Sequence, residues 1–72
     1  MKKDYPTLDL HGVYYVDLED VLSNFFFWDG HKEAVIITGQ SYDMQQKVIE
    51  WLEEYDYTYH IPYNNEGRIV VR

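Results

Sequence analysis

An aspartate and a histidine two residues apart are the first candidates for chemistry in this sequence. Asp9 and His11 occur in the run Leu8-Asp9-Leu10-His11, where apolar and polar residues alternate. This alternation is typical of a β-strand and places both polar side chains on one face. An imidazole beside a carboxylate can act as a general acid or base near neutral pH. The alternative is structural: Asp9 hydrogen-bonds the turn and His11 ends the strand.

Three further regions could bind an anion. Gly12 ends the first strand, and the run Thr38-Gly39-Gln40-Ser41 separates a β-branched strand from a helix. The start of a helix carries unpaired N–H groups that attract phosphate. Arg68 begins the last strand and could bind a phosphate or the developing charge of a transition state. The alternative for Arg68 is a surface ion pair with one of the many carboxylates.

The hydrophobic pattern predicts the elements that position these residues, in the order β-α-β-α-β-β. The predicted strands are Thr7 to His11, Glu33 to Thr38, Tyr57 to Pro62 and Arg68 to Arg72. The first predicted helix begins at Asp17, and the second runs from Ser41 to Tyr55. Crossovers between parallel strands are right-handed, so both helices lie on one face of the sheet. The predicted fold class is an α/β (α+β) two-layer sandwich with a four-stranded sheet.

Alternation along the strands predicts which side chains the helices cover. Val35 and Ile37 are assigned to the helix-covered face, and Ala34, Ile36 and Thr38 to the open face with Asp9, His11 and Arg68. Ligands of α/β sheets usually bind at the carboxyl ends of parallel strands, where His11 and Thr38 are expected.

The first helix is predicted to bury one apolar stripe. Leu18, Val21, Leu22, Phe25 and Trp28 recur at intervals of three and four residues, whereas Phe27 lies off the stripe and is expected to be exposed.

Composition limits the chain to a small protein without thiol chemistry. Its 72 residues make a single domain, 1–72, and 46% of them are hydrophobic. The absence of cysteine excludes disulfides, zinc ribbons and thiol catalysis. Six basic against thirteen acidic residues give a net charge of −7, which argues against a broad electrostatic surface for nucleic acid. No targeting signal or membrane-spanning run is visible, so we expect a cytoplasmic protein with no membrane partner.

The motifs resemble those of the small MutS-related (Smr) domain family. Leu8 to Gly12 reads LDLHG, Ile36 to Gly39 is similar to the start of the family's glycine loop, and Val48-x-x-Trp51-Leu52 is similar to its V-x-x-W-L motif. Gly67 before a β-branched strand is similar to the closing segment. The resemblance covers Leu8 to Arg72.

The resemblance implies a fold and an activity. It implies a mixed sheet in which the last strand lies antiparallel beside strand two, and an endonuclease acting on RNA or DNA, in some cases at ribosomes. Asp9 and His11 match the D-x-H pair, and Thr38, Gly39 and Ser41 match the glycine loop and the serine that follows it. In RNA, His11 could take the proton of the 2′-hydroxyl without a metal. With the intact D-x-H pair, the resemblance therefore implies an RNA-directed endonuclease that uses no metal or other cofactor.

Departures from the family pattern keep other functions open. The family loop has a basic residue and a second glycine where this chain has Gln40 and Ser41. One alternative is a binding module without catalysis, which docks on a ribosomal or protein partner or competes with a catalytic Smr protein. Another is a homodimeric scaffold paired through its tyrosines. The expected oligomeric state is a monomer or weak homodimer. The eight tyrosines could also stack bases, or could cover the sheet and fill the core.

Overall fold

The alternating and β-branched segments form one four-stranded sheet, and the two amphipathic segments form helices. The computed structural model describes residues 5–63 and 67–72. Its elements are β1 (Thr7–Asp9), α1 (Tyr15–Ser23), a π-helical turn (Asn24–Trp28), β2 (Ala34–Ile37), α2 (Tyr42–Glu54), β3 (Tyr59–His60) and β4 (Arg68–Val71). The predicted order of elements and the mixed sheet are confirmed.

The sheet order is β1-β2-β4-β3. β1 and β2 are parallel, which requires the crossover that α1 provides. β4 runs antiparallel to both of its neighbours, β2 and β3, as expected for the last strand. The carboxyl ends of β1 and β2 therefore meet at one edge of the sheet, beside the starts of both helices.

One hydrophobic core lies between the helices and a single face of the sheet. The helices contribute Leu18, Leu22, Met44, Val48, Trp51 and Leu52, and the sheet contributes Ala34, Ile36, Ile69 and Val71. None of the helices in the described part of the chain has the length and apolarity needed to cross a membrane.

The predicted faces of β2 are reversed in the structure. Ala34 and Ile36 are fully buried under the helices, whereas Val35 and Ile37 are half-buried on the open face. The pairing of Ile36 with Leu8 and Ile69 fixes this register. Every residue of β2 is apolar, so the strand has no alternation from which the faces could be read.

The aromatic run after α1 packs differently from the predicted stripe. Phe26 is 3% exposed and stacks on Trp51, whereas Trp28 is 82% exposed. The backbone N–H of Asp29 donates to the carbonyl of Asn24, five residues earlier, at 2.9 Å. This π-helical turn widens the helix and changes which side chains face the core. The expected exposure of Phe27 is confirmed.

Two element boundaries also differ from the prediction. α1 begins at Tyr15, two residues before Asp17. β3 is shorter than the predicted Tyr57 to Pro62, because the N–H of Tyr57 donates to Leu52 at the end of α2 and is not available to a neighbouring strand.

Candidate functional site

A groove lies where the carboxyl ends of β1 and β2 meet the starts of the two helices. Residues 10–15 form one wall, and residues 38–41 with Met44 form the other. Its volume is about 350 Å³. This is the position at which ligands usually bind in α/β sheets.

Most of the predicted site residues come together in this groove. His11, Gly12, Thr38, Gly39, Gln40 and Ser41 all line it. Asp9 and Arg68 are absent from its lining. The two loops that the sequence singled out are therefore neighbours in space, although 27 positions separate Gly12 from Gly39 in the sequence.

Asp9 contacts the backbone of His11. Its carboxylate Oδ1 accepts a hydrogen bond from the backbone N–H of His11 at 2.9 Å. The N–H of Val13 donates to the carbonyl of Leu10 at 3.0 Å, and Gly12 completes the bend with a φ of +80°. Asp9 thus fixes the loop that carries His11, which is the structural role that the sequence left open. His11 itself is exposed.

The second loop is tied to the start of β4. The N–H groups of Thr38 and Gly39 donate to the carbonyl of Gly67 at 2.8 and 3.1 Å, and the Thr38 hydroxyl donates to it at 3.3 Å. Thr38 is only 6% exposed, so it supports the groove wall and presents little surface to a ligand. This buried position follows from the corrected faces of β2.

Gly67 allows this close approach of two backbone segments. A Cβ atom built on it would lie 3.1 Å from the carbonyl oxygen of Gly39, so a side chain at this position would require one of the two segments to shift by a few tenths of an ångström. Gly39 itself has a φ of +67°, a conformation that favours glycine.

Ser41, where the second helix is predicted to begin, is the N-cap residue of α2. Its hydroxyl accepts a hydrogen bond from the N–H of Met44 at 3.1 Å. The first N–H groups of a helix have no acceptor within the helix. Those of Tyr42 and Asp43 precede the capped one, so the positive end of the α2 dipole lies beside the groove.

Arg68 lies outside the groove, on the open face of the sheet. It pairs across the ladder with Ile37, which in turn pairs with Asp9. Paired residues share a face, so Arg68 and Asp9 are two strand spacings apart, or roughly 10 Å. An Arg68 guanidinium would reach the phosphate of a ligand only if that ligand extends from the groove over the sheet.

The groove differs from the rest of the molecule in charge. None of the described residues that line it is acidic, although the chain has 13 aspartates and glutamates and a net charge of −7. An anion in the groove would lie near the positive end of α2 without a carboxylate in the groove lining, although Asp43 lies in the first turn of that helix.

Two tyrosines of the groove wall were not singled out from the sequence. Tyr14 is 75% exposed, and Tyr15 lies under the Lys47 ammonium, whose Nζ is 5.2 Å from the ring centroid. Their position between Gly12 and the first helix was a usable signal, because a loop between a strand and a helix commonly carries function.

Neither metal-binding geometry nor comparison with known proteins assigns a function to the groove. Among residues 5–63 and 67–72, no three or more His, Asp or Glu side chains are grouped closely enough to hold a metal ion. Comparisons with protein-family models, curated proteins and solved structures found no match to this chain.

Proposed function

We propose that this protein is an Smr-like endoribonuclease that binds RNA in the groove and cleaves it without a metal. The observation that carries the proposal is the shared groove: His11 lies in the same cavity as the Gly39–Ser41 loop. A candidate base and a candidate phosphate site therefore face one ligand. The motif resemblance to Smr domains supports the same function, and the cytoplasm is the compartment where such a substrate is met.

The chemistry assigned to His11 is removal of the proton from a ribose 2′-hydroxyl. The 2′-oxygen then attacks the adjacent phosphorus, and the 5′-oxygen of the next nucleotide leaves and takes up a proton. The products are a 2′,3′-cyclic phosphate and a 5′-hydroxyl end. A general base in this position contributes typically about 10²- to 10⁴-fold to the rate.

The other site residues position the reacting groups. The start of α2 and the backbone around Gly39 and Gln40 bear the phosphate charge, as helix N-termini do in other anion sites. Asp9 acts as a positioning residue because its carboxylate holds the backbone N–H of His11. Arg68 contacts a phosphate farther along the bound RNA, over the open face of the sheet.

The test is cleavage of a labelled RNA oligonucleotide in the presence of EDTA. We expect cleavage by the unaltered protein and a loss of about 10²-fold or more with His11→Ala. His60→Ala is the matched control, because His60 is also exposed but does not line the groove. A 2′-O-methyl oligonucleotide should resist cleavage. Undiminished cleavage by His11→Ala would remove the histidine from the mechanism.

A binding module of the same fold is the second candidate function. It is favoured by the hydrogen bond that directs the Asp9 carboxylate to the His11 backbone, and by the net charge of −7. In this case the groove docks on a ribosomal or protein partner and no bond is cleaved. Saturable binding to purified ribosomes without cleavage of any RNA would favour the module.

A further inference from the structure

We propose that Tyr14 is a stacking platform for one unpaired base, which makes single-stranded RNA the substrate class of the groove. This inference rests on the proposed function, because it requires the groove to bind RNA. It adds a residue and a specificity that neither the motif pattern nor the His11 chemistry assigns.

The first observation is that Tyr14 occupies a position where its side chain does not serve the helix. It is the N-cap residue of α1, with φ −77° and ψ 148°, and its side chain makes no capping hydrogen bond. Ser, Thr, Asp and Asn are strongly preferred at this position because their oxygens accept from the helix N–H groups. Departures from such local preferences occur mainly at functional sites.

The second observation is that the Tyr14 ring is exposed while its backbone is fixed. The residue is 75% exposed and lines the groove. Its carbonyl accepts from the N–H of Asp17 at 3.0 Å, and the neighbouring Tyr15 lies under Lys47. A tyrosine ring has few rotatable bonds, so a base can stack on it with a small loss of side-chain entropy.

The third observation concerns the space beside the ring. The volume of about 350 Å³ lies at the lower end of the range for small-molecule sites, and the lining contains no carboxylate among the described residues. Tyr14 and Ser41 line the same groove, so we expect the phosphate of a base stacked on Tyr14 to lie on the side of α2. Stacking tolerates any base but requires an unpaired one, so single strands are preferred over duplexes.

Binding to a fluorescently labelled 2′-O-methyl RNA, followed by anisotropy, tests the platform without cleavage. Tyr14→Ala should weaken binding by roughly 5- to 150-fold, the range for loss of one base–aromatic contact, whereas Tyr14→Phe should stay within about twofold. Tyr63→Ala is the matched control, because Tyr63 is 92% exposed and does not line the groove. The same oligonucleotide paired in a duplex should bind more weakly than the single strand.

The variant Tyr14→Ser separates a ligand contact from a structural role. Serine can cap α1, so the Tm should rise by roughly 2–6 °C for a domain of this size. RNA binding should fall as it does for Tyr14→Ala. A lower Tm for Tyr14→Ser would show that the ring stabilises the fold and would overturn the proposed platform.

The outcomes distinguish this inference from the proposed function. Equal RNA binding by the unaltered protein and Tyr14→Ala overturns the platform and leaves the role of His11 standing. Binding that depends on Tyr14, with no cleavage of unmodified RNA, supports the platform and overturns the nuclease. Absence of binding to every oligonucleotide overturns both.

Discussion

The two walls of the groove are equivalent in topology and opposite in construction. Each follows a parallel strand, bends at a glycine with positive φ and ends at the first residue of a helix. The β2–α2 loop is held by three hydrogen bonds to Gly67 and by the Ser41 cap. The β1–α1 loop has a tyrosine at the cap position and presents His11 and Tyr14 to solvent.

This difference indicates that the β2–α2 loop mainly stabilises the fold, whereas the β1–α1 loop carries the exposed side chains of the groove. In the β2–α2 loop, the polar groups of Thr38 and Ser41 are engaged within the protein. In the β1–α1 loop, the Asp9 carboxylate accepts from the His11 backbone, and the His11 and Tyr14 side chains are exposed. We therefore expect stability to be more sensitive to the β2–α2 loop, and RNA binding and cleavage to the β1–α1 loop.

The largest expected effect on stability is that of Gly67→Ala. The added methyl group would lie 3.1 Å from the Gly39 carbonyl oxygen, so one of the two backbone segments must shift by a few tenths of an ångström against the hydrogen bond that joins them. We expect a loss of about 1–3 kcal/mol in the free energy of unfolding, typical of an overpacked site. Urea denaturation measures it. A loss below about 0.5 kcal/mol would show that the contact between the loop and β4 is loose.

Substitution of the two loop glycines should have nearly equal effects, because the strain depends on the positive φ that both share and not on the contacts that distinguish the loops. Gly12→Ala and Gly39→Ala each place a side chain at positive φ, and neither new methyl group would meet an atom within 4 Å. Backbone strain alone should lower stability by about 1–2 kcal/mol in each case. D-Alanine, introduced by chemical synthesis, is the control because it adopts positive φ without this strain. A much larger loss at Gly39 would mean that the Gly67 contacts also fail.

The smallest expected effect contrasts the two cap positions. Ser41→Ala removes the acceptor for the Met44 N–H and should lower stability by about 1 kcal/mol. Tyr14→Ala removes no capping hydrogen bond and should change stability by less than about 0.5 kcal/mol. Thermal and urea denaturation of both variants measure the difference. Equal losses would erase the distinction between the loops.

The order of elements could be predicted because its signals are local: the β-branched segments indicate strands, and Ser41 marks the start of α2. The position of the last strand beside β2 was expected only from the motif resemblance. The faces of β2 could not be predicted, since Ala34 to Ile37 are all apolar and only pairing with β1 and β4 sorts them. The burial of Phe26 and the exposure of Trp28 depend on a π-helical turn that has no sequence signature of its own.

The candidate site was predictable in part. Topology brings the carboxyl ends of β1 and β2 together, so the proximity of His11 to the Gly39 loop follows from the order of elements. Arg68 lies away from the groove because β2 separates β4 from β1 and because Arg68 is on the open face of the sheet. The Asp9 carboxylate could accept a hydrogen bond either from the His11 ring or from a backbone N–H of the turn, and the sequence does not distinguish between the two.

The hydrogen bonds to the Gly67 carbonyl make the attachment of the β2–α2 loop measurable by hydrogen exchange. This carbonyl accepts from the Thr38 hydroxyl, 29 residues away in the sequence. The amide protons of Thr38 and Gly39 share the same acceptor. Deuterium replaces those amide protons when their hydrogen bonds to Gly67 open. Their exchange rate would therefore report how often the hydrogen bonds between the β2–α2 loop and Gly67 open while the helices remain intact.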